Sequence, residues 1–401
     1  MSVVVYGADG YIGWSLVCAI ATQLNEPIIA VDDLSKRERV NSLGFTSGVE
    51  ILPFEERIAR LRRVTGRTDI TGVVADIRDS ADELMRTVQP SAVVHLAQIP
   101  SAPYSMMDAT SAIETLVNNE AGNLALLFAL KQHSPNTHLV KMGSMGEYAR
   151  CGLPIEEGYY QPTHNGVIAS RAVPFPREAD DVYHITKIND SNFIGMACRQ
   201  WGLAITDVMQ SIVYGVSSPL SREHPELHTR FDFEPVFGSV LNRFVAQAVS
   251  GQPLTVYGGG TATTGLISLR DSVNALTTWL QHPCAPGMHR VINQATETRI
   301  TIRELAILVA QIAQEAGIEV TIDCSLDPRH EAGKEIATES VVNTTLLAET
   351  NAQNNLVDDV RQLFRDVQNS VTRFYPAAAP PCVDWRAGRE SNVGPQLVRA
   401  G

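Results

Sequence analysis

A glycine-rich turn between a short apolar strand and a helix, at the start of the chain, constrains the fold most strongly. Residues 2–6 form an apolar run rich in β-branched side chains, which predicts a strand buried on both faces of a sheet. Gly7, Gly10 and Gly13 follow, then an apolar helical pattern, and then a second apolar strand over residues 27–31. This strand–turn–helix–strand unit predicts an α/β protein built on a doubly wound parallel sheet.

The three glycines have separate physical tasks that together suit a dinucleotide. Gly7 allows the tight turn, Gly10 lets the backbone approach a pyrophosphate, and Gly13 lets helix and strand pack closely. The phosphates would then meet the positive end of the helix, at Tyr11 and Ile12. We therefore predict that this Rossmann unit binds a nicotinamide dinucleotide.

Two carboxylates after the second strand bear on which dinucleotide is bound. Asp32, followed by Asp33, lies about twenty residues beyond the glycine turn, where a carboxylate binds the hydroxyls of the adenosine ribose. This favours NAD, because NADP carries a phosphate on that ribose. Lys36, Arg37 and Arg39 follow soon afterwards and weaken the preference, because such cations can bind a phosphate.

Residues at the ends of the next two strands complete the predicted cofactor site. Asp76 and Ile77 follow a strand over residues 72–75, where the carboxylate can touch the adenine. The alternative is that Asp76 only caps the helix that comes next. Leu96 lies in a strand over residues 92–97 that would pass under the cofactor.

The reacting groups are predicted to be a tyrosine and a lysine four residues apart at the start of a helix. Tyr183 and Lys187 then share one helix face, and the ammonium would lower the pKa of the phenol so that it takes a proton from a sugar hydroxyl. Ser144, at the end of a strand, could bond the same hydroxyl, although a cap is an equally good interpretation. Asn118 or Asn119 would hold a water or backbone group near the lysine, and we assign Asn119 to the cofactor site.

The chain is long enough for two structural units. With 401 residues, we expect a Rossmann domain over residues 1–215, to which later segments return, because strands and helices alternate up to that point. Beyond it the pattern loosens, and residues 216–375 are assigned mainly to a smaller substrate-binding part. Residues 376–401 contain an Ala-Ala-Ala-Pro-Pro run and end polar, which predicts a tail.

Charge and composition argue against several partners. The formal net charge of −12 disfavours nucleic acid and anionic membrane surfaces. No apolar run is long enough to span a membrane and no targeting segment precedes the first strand, so a cytoplasmic location is expected. The six cysteines are scattered without metal-ligand spacing, so we expect neither a metal site nor a disulfide framework.

Taken in order, the glycine turn, the acid after the second strand, Ser144, Tyr183 and Lys187 resemble an extended short-chain dehydrogenase/reductase. The chain is still more similar to the UDP-sulfoquinovose synthase family. The matching strings run in the same order over nearly the whole chain and include Ser101-Ala102-Pro103-Tyr104-Ser105-Met106, Met145-Gly146-Glu147-Tyr148, Thr163-His164-Asn165-Gly166, Leu241-Asn242-Arg243-Phe244, Pro253-Leu254-Thr255-Val256-Tyr257-Gly258 and Pro328-Arg329.

This resemblance implies transient oxidation of a nucleotide sugar at C4 by tightly held NAD. Tyr183 would be the base, Lys187 would lower its pKa and hold the nicotinamide ribose, and Ser144 would share the 4-hydroxyl. Arg329 would contact the diphosphate, with a surface arginine as the alternative. A UDP- or GDP-linked sugar is expected to meet Ser101, Tyr104, Met145, Glu147, Gln210, Asn242, Arg243, Tyr257 and Arg329. By analogy with the fold, a homodimer is expected.

The chain departs from the family pattern at two places. Ile99 and Pro100 stand where the synthases carry a glutamine and an arginine, and residues 262–265 read Ala-Thr-Thr-Gly instead of Gln-Thr-Arg-Gly. Two cations expected near the substrate are thus replaced, although a site that uses sulfite needs positive charge. Met145-Gly146 also stands in place of the Asp-Glu acid/base pair of ordinary 4,6-dehydratases, a difference that the synthases share.

These features favour an NAD-dependent nucleotide-sugar 4-epimerase, in which a 4-keto sugar turns over in the site before it is reduced. The alternative is UDP-sulfoquinovose synthesis from UDP-glucose and sulfite, or another nucleotide-sugar dehydration. A catalytically idle NAD-binding regulator is disfavoured, because Tyr183 and Lys187 are both present. The sequence leaves open whether His184 or His164 takes part in proton transfer.

Overall fold

The computed structural model of the protein describes residues 2–149, 155–295, 300–325 and 355–374. Arg329 and the predicted tail over residues 376–401 lie outside these residues. The strands are β1 (Val3–Tyr6), β2 (Ile28–Asp32), β3 (Ile70–Val74), β4 (Ala92–His95), β5 (His138–Met142), β6 (Tyr159–Tyr160), β7 (Thr163–His164), β8 (Val167–Ile168), β9 (Val173–Pro174), β10 (Ala204–Gln210), β11 (Ile212–Tyr214), β12 (Leu254–Thr255), β13 (Thr263–Thr264), β14 (Leu266–Ser268), β15 (His289–Gln294), β16 (Ile300–Thr301) and β17 (Ile322–Asp323).

Helices flank these strands along the described chain. They are α1 (Tyr11–Gln23), α2 (Ser35–Ser42), α3 (Phe54–Thr65), α4 (Ile77–Val88), α5 (Ala102–Ser105), α6 (Ala109–Leu116), α7 (Gly122–His133), α8 (Val182–Trp201), α9 (Pro219–Glu223), α10 (Val240–Val249), α11 (Leu269–Gln281), α12 (Ile302–Glu315) and α13 (Leu356–Ser370). A π-helical segment (Val117–Ala121) joins α6 to α7, so the helical winding changes in the middle of residues 109–133. Within the described residues, no helix is long and apolar enough to cross a membrane.

The main sheet confirms the predicted doubly wound α/β fold. Its seven strands are all parallel and lie in the order β3-β2-β1-β4-β5-β10-β15. The chain leaves β1 toward β2 on one side, and β4 then pairs with the other side of β1. The carboxyl ends of β1 and β4 therefore form the topological switch point, where open parallel sheets bind ligands.

Helices bury both faces of the sheet, as the near-continuous apolar strands require. On one face, α1 and α11 contribute fully buried Trp14 and Trp279 to the larger core cluster. On the other face, α4, α7 and α8 contribute side chains such as Met85, Leu127 and Ile194. The apolar sequence of the strands thus accounts for the presence of helices on both faces of the sheet.

The C-terminal part has its own core between α10, α12 and α13, which contains buried Phe244, Leu305 and Phe364. Two elements after residue 215 lie with the Rossmann domain instead, because β15 pairs with β10 and α11 packs against α1.

Residues 227–238, here termed the covering segment, lie across the Rossmann domain and also reach the core of the C-terminal part, in which Phe231 and Phe233 are buried. The Trp14 indole N–H donates to the Leu227 carbonyl at 2.9 Å, and the Thr229 hydroxyl donates to the Tyr11 carbonyl at 2.7 Å. Arg57 on α3 donates to the His228 carbonyl at 3.2 Å. Side-chain contacts far apart in sequence hold this segment, which explains why it shows no periodicity.

Candidate active site

A cavity of about 590 Å³ opens at the carboxyl ends of β1, β2, β4 and β5. Its walls are the glycine turn, the ends of these strands, the first turn of α8, the covering segment and the start of α10. Most side chains predicted to bind cofactor or substrate lie on these walls. The cavity therefore brings together residues from both parts of the chain.

The glycine turn has the shape that a bound pyrophosphate requires. Gly7 has a φ of +81°, and a Cβ at this residue would lie 2.6 Å from the carbonyl carbon of Leu96. A Cβ on Gly13 would lie 1.9 Å from the carbonyl oxygen of Gly7, so only glycine fits there. Gly10 precedes α1 without a side-chain cap, which leaves the N–H groups of the first turn, from Tyr11 onward, available to phosphate.

Asp32 lies at the cavity wall with both carboxylate oxygens engaged. Oδ2 accepts from the backbone N–H of Asp9 at 2.8 Å, and Oδ1 accepts from that of Leu34 at 2.7 Å. Burial and the neighbouring Asp9 carboxylate raise the pKa of Asp32 to about 6. Asp33 lines the same wall, and the two side chains stand where the ribose hydroxyls of a dinucleotide would lie.

Three cations near Asp32 could have selected a ribose phosphate, but each is paired with a carboxylate. The pairs are Arg37 with Asp9 at 2.6 Å, Arg39 with Glu114 at 2.8 Å, and Lys36 with Asp232 at 3.5 Å. Lys36 also stands 3.5 Å from the centre of the Phe237 ring. The arrangement therefore suits NAD, whose ribose carries hydroxyls at this position.

The other residues predicted to bind the cofactor and discussed next line the cavity with polar or apolar side chains. Asp76 accepts from the backbone N–H of Arg78 at 2.7 Å as the cap of α4, and its side chain also lines the cavity. Ile12, Ile77 and Leu96 form apolar parts of the wall. The residues present thus fit a nicotinamide dinucleotide along the whole length of the cleft.

Tyr183 and Lys187 lie on the cavity-facing side of α8, as their spacing predicts. Asp181 caps this helix by accepting from the backbone N–H of His184 at 2.9 Å. The Lys187 ammonium donates to the Met142 carbonyl at 2.7 Å and also to the Gln98 side chain, and it lies 5.6 Å from the centre of the Tyr183 ring. The two side chains can therefore act on one substrate hydroxyl.

The electrostatics at Tyr183 differ from the prediction. Burial raises the pKa of Tyr183 above its ordinary value, and nearby carboxylates, Asp181 first among them, raise it further. Burial also lowers the pKa of Lys187 to about 7, with Lys141 adding to the effect. The predicted lowering of the phenol pKa by the lysine is wrong for the polypeptide itself, because desolvation outweighs one cation that is bonded elsewhere.

Ser144 combines the two roles that the sequence left open. It caps the single 3₁₀ turn Met145–Glu147, with its Oγ accepting from the backbone N–H of Gly146 at 3.1 Å. The same side chain lines the cavity near Tyr183, as does Met145. A capped turn fixes the position of the hydroxyl, which suits a group that must hydrogen-bond a substrate.

The structure contradicts the prediction that Glu147 binds substrate. Its side chain is fully buried behind the cavity wall. Oε1 accepts from the backbone N–H of Ser144 at 2.8 Å, and Oε2 accepts from Arg177 and from the Ser191 hydroxyl. A capping-box glutamate must turn back toward its own helix, so this carboxylate points away from the ligand.

Two further site predictions are wrong because the side chains bond other groups of the protein. Asn119 is fully buried in the π-helical segment, where its side chain bonds the backbone of Ile99 and the Thr186 hydroxyl instead of a cofactor. Tyr104 lies outside the cavity wall, and its hydroxyl donates to Glu114. Both residues position the walls and do not contact the space inside.

The other predicted substrate residues line the cavity. The side-chain oxygen Oδ1 of Asn242 accepts from the backbone N–H of Gly215 at 3.0 Å, and the Arg243 guanidinium stands 4.5 Å from the centre of the Tyr257 ring. Ser101 and Gln210 also lie on the wall, but they bond the protein, Ser101 at the Val236 carbonyl and Gln210 in a buried amide network. Arg329 lies outside the described residues.

Sequence reasoning missed Gln98, which links the lysine to a buried carboxylate. Its side-chain oxygen accepts from the Lys187 ammonium, and its amide N–H donates to Asp190. The signal was available, because Gln98 follows β4 at the edge of the sheet where ligands bind. Among the described residues, no cluster of three or more His, Cys, Asp or Glu side chains could hold a metal ion.

Known proteins are similar to this chain at the level of family and fold. A family model described as the NAD dependent epimerase/dehydratase family matches residues 3–294. The chloroplastic UDP-sulfoquinovose synthase of Spinacia oleracea is 37% identical over 404 aligned residues, covering 99% of this chain and 81% of the relative. The UDP-sulfoquinovose synthase of Sulfolobus acidocaldarius is 38% identical over 335 residues, covering 83% of this chain and 84% of the relative.

Solved structures share the fold at much lower sequence identity. The UDP-glucose 4-epimerase of Thermotoga maritima with UDP-glucose has a TM-score of 0.65 at 17% identity, covering 92% of this chain and 99% of that one. The UDP-glucuronic acid 4-epimerase of Bacillus cereus, in complex with UDP-glucuronic acid and NAD, has a TM-score of 0.66 at 16% identity, again covering 92% and 99%. At such identities the likeness concerns the fold alone.

Proposed function

The chain belongs to the NAD-dependent epimerase/dehydratase family, and from this premise we propose that it catalyses the UDP-sulfoquinovose synthase reaction, the conversion of UDP-glucose and sulfite into UDP-sulfoquinovose. The observation that carries the proposal is the similarity to two such synthases along most of the chain. The placement of Ser144, Tyr183 and Lys187 on one cavity wall supports it further.

Each residue at the reacting end has a role that follows from its position. Bound NAD supplies the acceptor, and later the donor, of the hydride at sugar C4. Tyr183 takes the proton of the 4-hydroxyl and returns it, while Ser144 orients that hydroxyl. Lys187 is held by the Met142 carbonyl and by Gln98, one helical turn from Tyr183, and its role is to bind the ribose of the nicotinamide.

We assign binding of the nucleotide to the part of the cavity wall that carries Arg243 and Tyr257. Arg243 is a cavity-lining cation from α10, and its guanidinium suits a diphosphate oxygen better than an ammonium would. Tyr257 lies beneath that guanidinium and limits its orientation. The UDP moiety would therefore be held at one end of the cavity while the hexose lies between Ser144 and Tyr183.

A 4-epimerase is the second candidate, and one observation favours it. The cavity wall carries Ile99, Pro100 and Ala262, at the positions where the sequence departs from the synthase pattern. An epimerase needs no small anion and would tolerate these apolar side chains. The sequence alone favours this candidate, whereas the relatives favour the synthase, because the solved 4-epimerases are far less similar than the synthases.

Product analysis separates the two candidates. The protein is incubated with UDP-glucose, with and without sulfite, and products are identified by NMR and mass spectrometry. Sulfite-dependent formation of a sulfonated UDP-sugar is the expected result. UDP-galactose formed in both samples, with no sulfonated product, would refute the synthase proposal and establish the epimerase.

We also propose a homodimer, on the evidence of an apolar stripe along α6. Ile113 and Leu116 on α6, and Val117 at the start of the π-helical segment, are exposed at the i, i+3 and i+4 spacing of one helix face. Such a stripe is costly in water and is typical of an interface. Sedimentation should show a dimer that Ile113→Glu dissociates, and a wild-type monomer at micromolar concentration would contradict the proposal.

A further inference from the structure

The side-chain amide of Gln98 lies between the Lys187 ammonium and acceptor groups from two other parts of the chain. Its oxygen accepts from Lys187, while its nitrogen donates to the Asp190 carboxylate and, at 3.5 Å, to the Asn119 carbonyl. An ionised carboxylate and a carbonyl only accept hydrogen bonds, and an ammonium only donates them. The amide therefore has a single orientation that satisfies all of these partners, because a turned amide would set its N–H groups against the ammonium.

Asp190 fixes this orientation because it stays ionised, although it is fully buried on α8. The Lys141 ammonium, also fully buried, lies on β5 at 3.4 Å from Oδ2 of Asp190. Burial raises the pKa of Asp190 to about 6, and Lys141 opposes that rise, so the carboxylate is charged at neutral pH. Among the described residues, the Lys141 ammonium has no hydrogen-bond partner, so it acts on Asp190 through its charge.

The same amide decides where the Lys187 ammonium points. An ammonium carries three N–H donors, and the protein uses two of those on Lys187, one for the Met142 carbonyl at 2.7 Å and one for the Gln98 oxygen. Because the nitrogen is tetrahedral, these two bonds also fix the direction of the third N–H. Lys187 lines the cavity, so the third N–H is the donor that remains for a ligand.

We propose that Asp190 is a positioning residue for the cofactor, which acts through Gln98 to direct the free N–H of Lys187 at the ribose of the nicotinamide. The inference rests on the role that the proposed function gives Lys187. Asp190 is fully buried and does not line the cavity, so it acts through the amide and not by contact with the cofactor. Without the carboxylate the amide is free to turn, and Lys187 loses one of the two bonds that set its direction.

Calorimetric titrations with NAD and with ADP test this role, because ADP lacks the ribose of the nicotinamide. Asp190→Leu removes the acceptor, and we expect it to bind NAD about tenfold more weakly and ADP as wild type does. Asp190→Asn still presents an oxygen to the amide, so it should bind both nucleotides as wild type does. Adding Asp190→Leu to Lys187→Met should weaken NAD binding no further, because the effect passes through the lysine.

Two other variants separate this role from a general loss of stability. Gln98→Met removes the amide itself and should weaken NAD binding as Asp190→Leu does, which keeps the test decisive if Asp190→Leu does not fold. Asp366→Leu is the matched control, because Asp366 is a buried carboxylate on α13 that likewise accepts from a glutamine, Gln362, and pairs with Arg222. It should lower the unfolding free energy and leave the affinities for both nucleotides unchanged.

Three results would overturn the inference. The first is Asp190→Leu or Gln98→Met binding NAD as tightly as wild type does. The second is an equal loss of NAD and ADP affinity in Asp190→Leu, because the role of the carboxylate would then be structural. The third is Asp190→Asn binding NAD as weakly as Asp190→Leu. No sugar enters these titrations, so the product analysis with UDP-glucose and sulfite tests the proposed function independently.

Discussion

Replacing Arg57 by methionine tests how the glycine turn is held in its binding conformation. Arg57 is fully buried on α3, where it binds the Asp9 carboxylate and the His228 carbonyl and stands 4.0 Å from the centre of the Trp14 ring. Asp9 belongs to the glycine turn, and its N–H donates to Asp32. One guanidinium thus links the cofactor turn, the ribose-binding carboxylate and the covering segment.

The unfolding free energy that this substitution should remove follows from the burial of the ion pair between Arg57 and Asp9. Removing one partner of a buried ion pair costs about 3–5 kcal/mol, because the remaining charge stays in a poor solvent. Arg37 would still bind Asp9, with bonds of 2.6 and 2.7 Å, so the carboxylate would keep one cation. Methionine also retains apolar contact with Trp14. We therefore expect Arg57→Met to lose about 3 kcal/mol of unfolding free energy, and NAD to bind more weakly.

Urea unfolding without NAD and titration calorimetry with NAD measure both effects. Arg60→Met is the matched control on the same helix, because Arg60 and its partner Glu56 are 39% and 42% exposed, and it should cost less than about 0.5 kcal/mol. The double variant Asp9→Asn with Arg57→Met should lose less unfolding free energy than the two single variants lose in sum. If Arg57→Met and Arg60→Met were equally stable and bound NAD alike, this account of the turn would be refuted.

Three further outcomes follow from the site. Tyr183→Phe should bind NAD as wild type does but form product about a hundredfold or more slowly, since the proton acceptor is lost; a rate close to wild type would exclude this tyrosine as the base. Burial lowers the pKa of Lys187 from 10.5 to about 7, so the unfolded chain binds more protons between these values and the wild type should gain unfolding free energy relative to Lys187→Met as pH rises through that window. Unfolding curves at several pH values check this, and a flat difference would contradict it. Gly13→Ala should abolish NAD binding and lower the thermal midpoint, because its Cβ would meet the Gly7 oxygen at 1.9 Å; calorimetry showing normal NAD affinity would contradict the geometry.

Local signals in the sequence were enough to place the cofactor turn and the helix that carries the reacting pair. Glycine spacing, the acid after the second strand and the four-residue spacing of Tyr183 and Lys187 act over a few residues, so their consequences can be worked out without knowing the rest of the fold. The same holds for the apolar runs that become β1, β4 and β5. These features also carry the family resemblance.

Side-chain direction and charge environment were beyond such reasoning. Glu147, Asn119 and Tyr104 carry suitable groups near the site in sequence, yet each bonds a protein partner that only folding brings close. The pKa of Tyr183 depends on how deeply the phenol is buried and on carboxylates from other elements, and neither can be counted along the chain.

The sequence by itself determined the parallel sheet, the dinucleotide turn and the one-turn spacing of Tyr183 and Lys187, because periodicity, glycine conformation and helix geometry are local properties. Only the tertiary structure decided that the imidazole of His184 lies over Gly146 and that Glu147 turns away from the sugar. Those positions depend on packing between α8 and the turn after β5, two elements whose distance in space is set by the whole sheet between them.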